Sequence, residues 1–324
     1  MVVLTITQVV SELGFSFALP FTPLFIQELG VQDLAEVGLW AGLIAGVFAV
    51  AMGGMAPIWG VMADRYGHKR MIQRAFFGAG AAIACIALVQ TPEQLLVLRV
   101  LHGVFTGVVT AIATLVSLMT PRRHIGTVLG LLQAGQFLGV ALGPLLGGAF
   151  ADRFGLRASF AGTGLILIST GLLVTLLVSE PPRESRRAEQ RTSTGSPQPA
   201  RQRLLSREVI AVVGLMALVR FGQTAPQPFL PLFVQQLVVT PDGLATMVGL
   251  VLAATGIAST VSALLVGQLT RRFGQRNTLI GCLTLATVFS ALHAMAGTVW
   301  QLLALRIVLG LAQGGTGPTI QALL

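Results

Sequence analysis

Charged residues are scarce in this chain, and their scarcity excludes a soluble domain. Only 10% of the 324 residues are Asp, Glu, Lys or Arg, whereas 54% are hydrophobic. A globule of this size has too little interior to bury so many apolar side chains, and the mean hydropathy of +0.81 points the same way. The composition therefore predicts a polytopic membrane protein whose partner is the lipid bilayer.

Cysteine is also rare, and the signatures of several protein classes are missing. Cys85 and Cys282 lie in separate apolar stretches without a CxxC motif or a histidine cluster, so neither a metal site nor a disulfide framework is indicated. No GxxxxGKS or GxxxxGKT motif is present, and the glycine-rich residues 314–318 lack the lysine of a phosphate cradle. No Ser/His/Asp set or carboxylate pair indicates an enzyme. We expect no cofactor, no metal and no catalytic residues.

Apolar segments of about 20 residues, the length of one membrane crossing, occur ten times. The abundance of glycine, 38 residues, suits closely packed helices better than the strands of a barrel. Residues 1–26 lack a basic start and a cleavage site and contain Glu12, so we interpret them as a retained span rather than a signal peptide. The predicted spans are 2–27, 37–62, 71–90, 94–118, 126–150, 158–179, 208–238, 244–270, 277–297 and 300–324.

Basic residues are unevenly distributed between the loops that connect these spans. With the N-terminus in the cytoplasm, the cytoplasmic connections hold 16 of the 21 Lys and Arg residues, and the outer loops hold only Arg153 and Arg157. Short basic loops resist translocation. We therefore predict a multi-pass protein of the cell inner (plasma) membrane with a cytoplasmic N-terminus. Topology also explains the net charge of +9 better than nucleic-acid binding does.

A polar segment separates two related parts of the chain. Residues 180–207 are rich in Arg, Pro, Ser and Gln, which predicts a solvated cytoplasmic linker, with contact to anionic lipid as the alternative. On either side, residues 20–29 and 228–237 agree at seven of ten positions. This repeat predicts a six-helix half at 1–179 and a second half at 208–324 that holds counterparts of the first four helices only.

The final predicted span has no polar cap, glycine stop or basic tail. We therefore expect the second half to be incomplete, with its last two helices missing. A genuine ten-span protein is the alternative.

Four motifs resemble those of the major facilitator superfamily. Residues 60–70 read GVMADRYGHKR with a weaker copy at 267–276, residues 98–107 read LRVLHGVFTG, and residues 139–148 read GVALGPLLGG. The opening, LGF at 13–15 followed by PFTPL at 20–24, is similar to multidrug efflux proteins of the MdtG type. The resemblance implies an all-α major facilitator fold with about ten of twelve transmembrane helices present. No feature indicates an oligomer, so we expect a monomer.

The third motif places small residues about one helical turn apart in the fifth span. They leave a smooth groove for a neighbouring helix, and Pro144 removes one backbone hydrogen bond and permits a bend. In the superfamily this motif is associated with exporters, while ordinary small-residue packing is the alternative. The glycines are Gly139, Gly143, Gly147 and Gly148.

Ionisable residues inside a membrane are costly and mark functional sites. Glu12 lies about ten residues into the first span, roughly 15 Å deep, and Arg220 occupies the repeat-equivalent place in the seventh. We predict that Glu12 binds the driving proton and releases it when Arg99 or Arg220 approaches; a static ion pair is the alternative. The resemblance gives Arg99 a part in coupling protonation to movement, and a structural role stays open.

Three arginines against one glutamate predict an electropositive central cavity, which favours anionic or amphipathic substrates. The candidate cavity residues are Arg220, Arg306, His102, Phe15 and Phe221. For His102 the alternative is helix packing, and for the two phenylalanines it is packing or contact with lipid.

The first motif also implies a conformational latch. By resemblance, Asp64 faces the N-terminus of an eleventh helix and stabilises the outward-open state through the helix dipole. The second copy has Arg271 in that place, so the latch is asymmetric, and the eleventh helix is not in this sequence. The other latch residues are Gly60, Arg65, Gly67, Lys69 and Arg70.

Together these features predict a secondary transporter that exports drugs or amphipathic and anionic small molecules by alternating access, in exchange for protons. A sugar or metabolite exporter on the same scaffold and a transport-inactive fragment are the alternatives. The expected partners are a small-molecule substrate, protons and the bilayer, with no nucleic acid.

Overall fold

A computed structural model describes residues 2–120, 125–178, 180, 207–238 and 242–316. The regular structure of these ranges is helical throughout, with short 3-10 turns. The first half contains α1 (Val2–Ala18), α2 (Thr22–Glu28), α3 (Leu34–Tyr66), α4 (His68–Ile86), α5 (Pro92–Phe105), α6 (Val108–Met119), α7 (Ile125–Phe154) and α8 (Leu156–Leu177). The second half contains α9 (Arg207–Thr224), α10 (Leu230–Leu237), α11 (Leu244–Phe273), α12 (Gln275–Leu292) and α13 (Val299–Gly314).

Three of the predicted spans are broken rather than continuous. A 3-10 turn that contains Pro20 separates α1 from α2, and a turn that contains Pro228 separates α9 from α10. Proline lacks the N–H that would continue a helix, so the same sequence produces the same break in both halves. The fourth span divides into α5 and α6 at Gly107, whose φ is +127°. The prediction gave one span at each of these places, and the structure adds the position of the break within it.

Single glycines connect α3 to α4 and α11 to α12. Gly67 has a φ of +100° and Gly274 a φ of +80°, a region that glycine enters without steric cost. Each follows an aromatic residue in one of the two copies of the first motif. The repeat in the sequence is therefore also a repeat in the backbone.

Six segments within the described ranges are long and apolar enough to cross a membrane. A shorter apolar helix, α13, follows them, while residues 317–324 of the tenth predicted span and most of the predicted linker lie outside the described residues. Large apolar side chains cover the outer surface of the bundle, as expected for a protein that faces lipid. The six segments are Ile6–Glu28, Leu34–Tyr66, Gly130–Phe154, Leu156–Leu177, Leu244–Ala263 and Gln275–Met295.

Helix α7 joins the two halves. It packs against α1 of the first half along one face and against α11 of the second half along another. Within the first half α4 packs on α8 and α3 on α5, and within the second half α11 packs on α13. The core of the first half contains four fully buried aromatic rings, those of Phe21, Phe25, Phe76 and Phe160.

Candidate transport site

Three glycines of α7 bring its backbone against α1. A Cβ added to Gly139 would lie 2.6 Å from the Cβ of Glu12, and one added to Gly143 would lie 2.6 Å from the Cβ of Ser16. A Cβ on Gly147 would overlap the carbonyl oxygen of Phe17. The contact therefore has no room for a side chain at these three positions.

The fourth glycine of the motif, Gly148, faces α11. A Cβ there would overlap the carbonyl oxygen of Ala245, and a Cβ on Gly249 would overlap the carbonyl oxygen of Pro144. Further along the same contact, a Cβ on Gly256 would lie 3.0 Å from the Cα of Ala141. Small residues on both helices thus let the two halves meet backbone to backbone.

Glu12 is buried where α1 meets α7. Its side chain is 8% exposed, and its carboxylate accepts hydrogen bonds from Nε2 of Gln8 at 2.9 Å and Nε2 of Gln136 at 3.3 Å. Among the described residues no basic group lies within 4.0 Å of this carboxylate. In this conformation the carboxylate of Glu12 is held by the amides of Gln8 and Gln136.

Arg99 and His102 form a second buried polar group in the first half. Nη1 of Arg99 lies 3.3 Å from Nδ1 of His102, and the guanidinium stands 4.8 Å from the ring centroid of Phe48. Phe15 stacks on the imidazole with ring centroids 5.6 Å apart. His102 thus contacts Arg99 and packs against the rings of Phe15 and Phe48.

A cavity of about 590 Å³ lies between the two halves. Its volume is in the range of about 300–1,000 Å³ that accommodates drug-sized molecules. Arg220, His293 and Arg306 supply its basic groups, and its described lining residues include no carboxylate. Apolar surface comes from rings such as those of Phe137 and Phe229. The cavity is therefore electropositive with apolar walls.

The predicted site residues are divided among this cavity, the interior of the first half and the exposed surface. Arg306, which is 9% exposed, and the more exposed Arg220 both line the cavity. His102 and Phe15 pack together away from the cavity, and Phe221 is 71% exposed on α9. The rotation of each helix about its own axis determines whether a residue on it faces the cavity.

The first motif forms the turn between α3 and α4, and the first residue of the predicted linker caps it. The carboxylate of Glu180 accepts hydrogen bonds from the backbone N–H of His68 at 2.7 Å and of Lys69 at 3.3 Å. A negative charge is stabilised at a helix N-terminus by these amides and by the helix dipole. Nζ of Lys69 also donates to the carbonyl oxygen of Thr175 at 2.9 Å. The turn is thus tied to the end of α8.

Two repeat-related glutamines join the halves at one end of the bundle. Nε2 of Gln27 donates to Oε1 of Gln235 at 2.9 Å, and Nε2 of Gln235 donates to Oε1 of Gln27 at 3.0 Å. We call this end, which carries residues 27–33, 152–157, 235–238 and 242–246, the predicted outer side. The offset of 208 residues between the partners is that of the sequence repeat.

Comparison with known proteins identifies the family. The model of the Major Facilitator Superfamily matches residues 4–244 and 216–324. The chain belongs to this superfamily. It is 34% identical over 315 residues to the multidrug resistance protein MdtG of Dickeya zeae (strain Ech586), covering 96% of this chain and 76% of the relative. It is 32% identical over 323 residues to MdtG of Enterobacter lignolyticus (strain SCF1), covering 96% and 74%.

Solved transporters share the fold of this superfamily member at low sequence identity. An inward-facing bacterial homologue of the human lysosomal transporter Spinster superposes with a TM-score of 0.74 at 16% identity, covering 99% of this chain and 76% of the other. A D-xylose-proton symporter superposes with a TM-score of 0.68 at 17% identity, covering 98% and 81%. The predicted all-α major facilitator fold is confirmed, and the chain is a membrane-spanning transporter.

Several residues of the candidate site were missed from the sequence. Gln8 stands one helical turn before Glu12, a spacing that places both on one face, so it was detectable. Gln136 gave no comparable signal, because its bond depends on the rotation of α7. Gly249 and Gly256 are seven residues apart, which places them on one face of α11, and this spacing was a usable sign of a close contact.

Proposed function

We propose that this transporter exports drugs and amphipathic or anionic small molecules across the cell inner membrane in exchange for protons. Its two halves alternate access to the cavity between them, and its N-terminus lies in the cytoplasm. The relatives at 30–34% identity are named multidrug resistance proteins, and α7 carries the glycine motif associated with exporters. The observation that carries the proposal is the burial of Glu12 at the contact between α1 and α7.

Burial makes Glu12 suitable as the proton carrier. A carboxyl group inside a membrane is less costly in its neutral form, so its protonation depends on which groups surround it. Glu12 lies directly against Gly139, at a contact that must shift when α7 moves relative to α1. A change in this packing alters the environment of the carboxylate, and the approach of Arg99 or Arg220 would release its proton.

The cavity supports the substrate class. Arg306 is nearly buried, and its Nε has no hydrogen-bond partner among the described residues. A buried cation without a partner is costly, and an anionic group on the substrate would remove that cost. The phenylalanine rings of the lining would receive the apolar part of the same molecule.

Transport in inside-out vesicles tests the proposal. Vesicles that contain the transporter and an acidic interior are expected to accumulate fluorescein, and a protonophore is expected to stop the accumulation. Addition of fluorescein should in turn discharge the pH gradient, which a pH-sensitive dye inside the vesicles reports. Vesicles without the transporter are the control. Discharge by a hexose alone would support the sugar exporter instead, and no discharge by either solute would contradict the proposed function.

Replacing Arg306 with glutamine is expected to weaken binding of the anionic substrate. Loss of a charge-assisted hydrogen bond in a buried site corresponds to a KM increase of about tenfold or more. The matched variant Arg220→Gln should raise KM by less, because Arg220 is exposed and solvent screens its charge. The measurement is the concentration dependence of fluorescein uptake, with an uncharged dye as the control substrate. Equal KM values for fluorescein in wild type and Arg306→Gln would remove Arg306 from the substrate site.

A further inference from the structure

Helix α11 of the second half has no N-terminal cap of its own. It begins at Leu244, and the preceding residue, Gly243, has no side chain that could accept a hydrogen bond from the first turn. The corresponding helix of the first half, α3, begins at Leu34 and is capped by Asp33, whose carboxylate accepts from the N–H of Ala35. The two halves therefore differ at the equivalent helix start.

The missing cap is supplied from the other half of the protein. Asp152, near the end of α7, accepts hydrogen bonds from the backbone N–H of Ala245 at 3.0 Å and of Thr246 at 2.7 Å. The hydroxyl of Thr246 donates to the same carboxylate at 2.5 Å. These amides are those of the second and third residues of α11, the positions that an N-cap carboxylate normally satisfies. The helix dipole adds to the attraction.

We propose that Asp152 is a latch that holds the predicted outer side of the transporter closed. The bond crosses between the halves, at the end where Gly148 meets Ala245 and where Gln27 pairs with Gln235. Separation of α7 from α11 at this end removes the cap of α11, whereas movements elsewhere leave it intact. The hydrogen bonds that cap α11 therefore stabilise only the conformation that is closed on this side. This role depends on neither the identity of the solute nor the coupling ion.

Thiol labelling from outside the cell tests the latch. Cys85 and Cys282 are first replaced by alanine, and Ser16, which lines the cavity, is replaced by cysteine as the reporter. The reagent is a membrane-impermeant maleimide. Asp152→Ala is expected to increase the rate at which it labels this cysteine about fivefold to tenfold, because the loss of one N-cap shifts an equilibrium by about this factor. Asp152→Asn, which retains an acceptor but no charge, should give a smaller increase.

Asp33→Ala is the matched control, because Asp33 caps a helix at the same end of the bundle but within one half. It should leave the labelling rate unchanged. Unchanged labelling in Asp152→Ala, or an equal increase in Asp33→Ala, would overturn the proposal. Labelling is measured without added substrate and after a protonophore has collapsed the proton gradient. Labelling rates that change as expected in a protein that exports nothing would therefore support the latch and contradict the proposed function.

A cross-link keeps the proposal testable if Asp152→Ala accumulates poorly. In the same background, Asp152→Cys with Thr246→Cys places two thiols where the carboxylate and the hydroxyl now meet. After oxidation the excess oxidant is removed, and the maleimide is then added. Oxidation should slow labelling of the reporter cysteine, and reduction should restore the labelling rate. A cross-linked protein that is labelled as fast as its reduced form would show that this contact does not close the predicted outer side.

Discussion

Glu12→Gln is expected to abolish proton-driven export while leaving the protein folded. Glutamine has nearly the shape of glutamate, and its side-chain oxygen can still accept from Nε2 of Gln8 and Nε2 of Gln136. The variant therefore keeps the packing of α1 against α7 and loses only the ability to bind a proton. Removal of a buried carboxylate also removes a desolvation cost, so no loss of stability is expected.

Two transport modes separate proton coupling from general damage. Fluorescein uptake driven by a pH gradient should fall to the level of vesicles without transporter. Exchange of labelled for unlabelled fluorescein at equal pH needs no net proton movement and should continue. If Glu12→Gln kept gradient-driven uptake at the wild-type rate, Glu12 would not be the proton carrier.

Glu93→Gln provides the matched control for this experiment. Glu93 lies on the predicted outer side at the start of α5, fully exposed, and a hydrogen bond with the Thr91 side chain lowers its pKa. It is therefore ionised throughout the physiological range and does not alternate between protonation states. The substitution removes the same charge as Glu12→Gln, and both transport modes should be unaffected.

Gly147→Ala is expected to have the second large effect, on folding rather than on coupling. A Cβ at this position would overlap the backbone carbonyl of Phe17, and backbone cannot move aside as a flexible side chain can. Forced overpacking of this kind costs about 1–3 kcal/mol in a well-packed core. The variant should lower the thermal midpoint of the detergent-solubilised protein and reduce the amount that accumulates in the membrane.

Gly53→Ala is the control for this substitution. Gly53 lies within α3, and a Cβ there would meet no atom within 4 Å. Alanine favours a helix over glycine by about 1 kcal/mol, so this variant should be as stable as the wild type or more so. Equal midpoints for Gly147→Ala and the wild type would mean that α1 and α7 are separated more widely than described here.

The features that sequence predicted best are those that the chain encodes locally. Proline positions repeat between the halves, and so do the breaks that they cause. The glycine motif predicted a close contact for α7, and the structure adds that Gly148 serves a different neighbour from Gly139. Such a division depends on which helices lie on each side of α7, and spacing along one helix carries no information about that.

Contacts between distant parts of the chain were the least predictable. The bond between Asp152 and the start of α11 joins residues 93 and 94 positions apart, and nothing in either segment indicates the other. A local trace is Gly243, which precedes α11 and has no side chain, whereas the residue that precedes α3 is Asp33. Arg220 and Phe221 are adjacent in sequence, yet only the arginine faces the cavity, because the rotation of α9 is set by the helices around it.

The cap that Glu180 places on α4 determines where the connection between the halves begins. Glu180 is bonded to the turn between α3 and α4, so the 26 residues 181–206 connect it to the start of α9. Fully extended, a segment of that number of residues reaches about 90 Å. This contour length is about three times the thickness of the hydrocarbon core of a bilayer, about 30 Å. Glu180 fixes the point on the first half from which the length is measured.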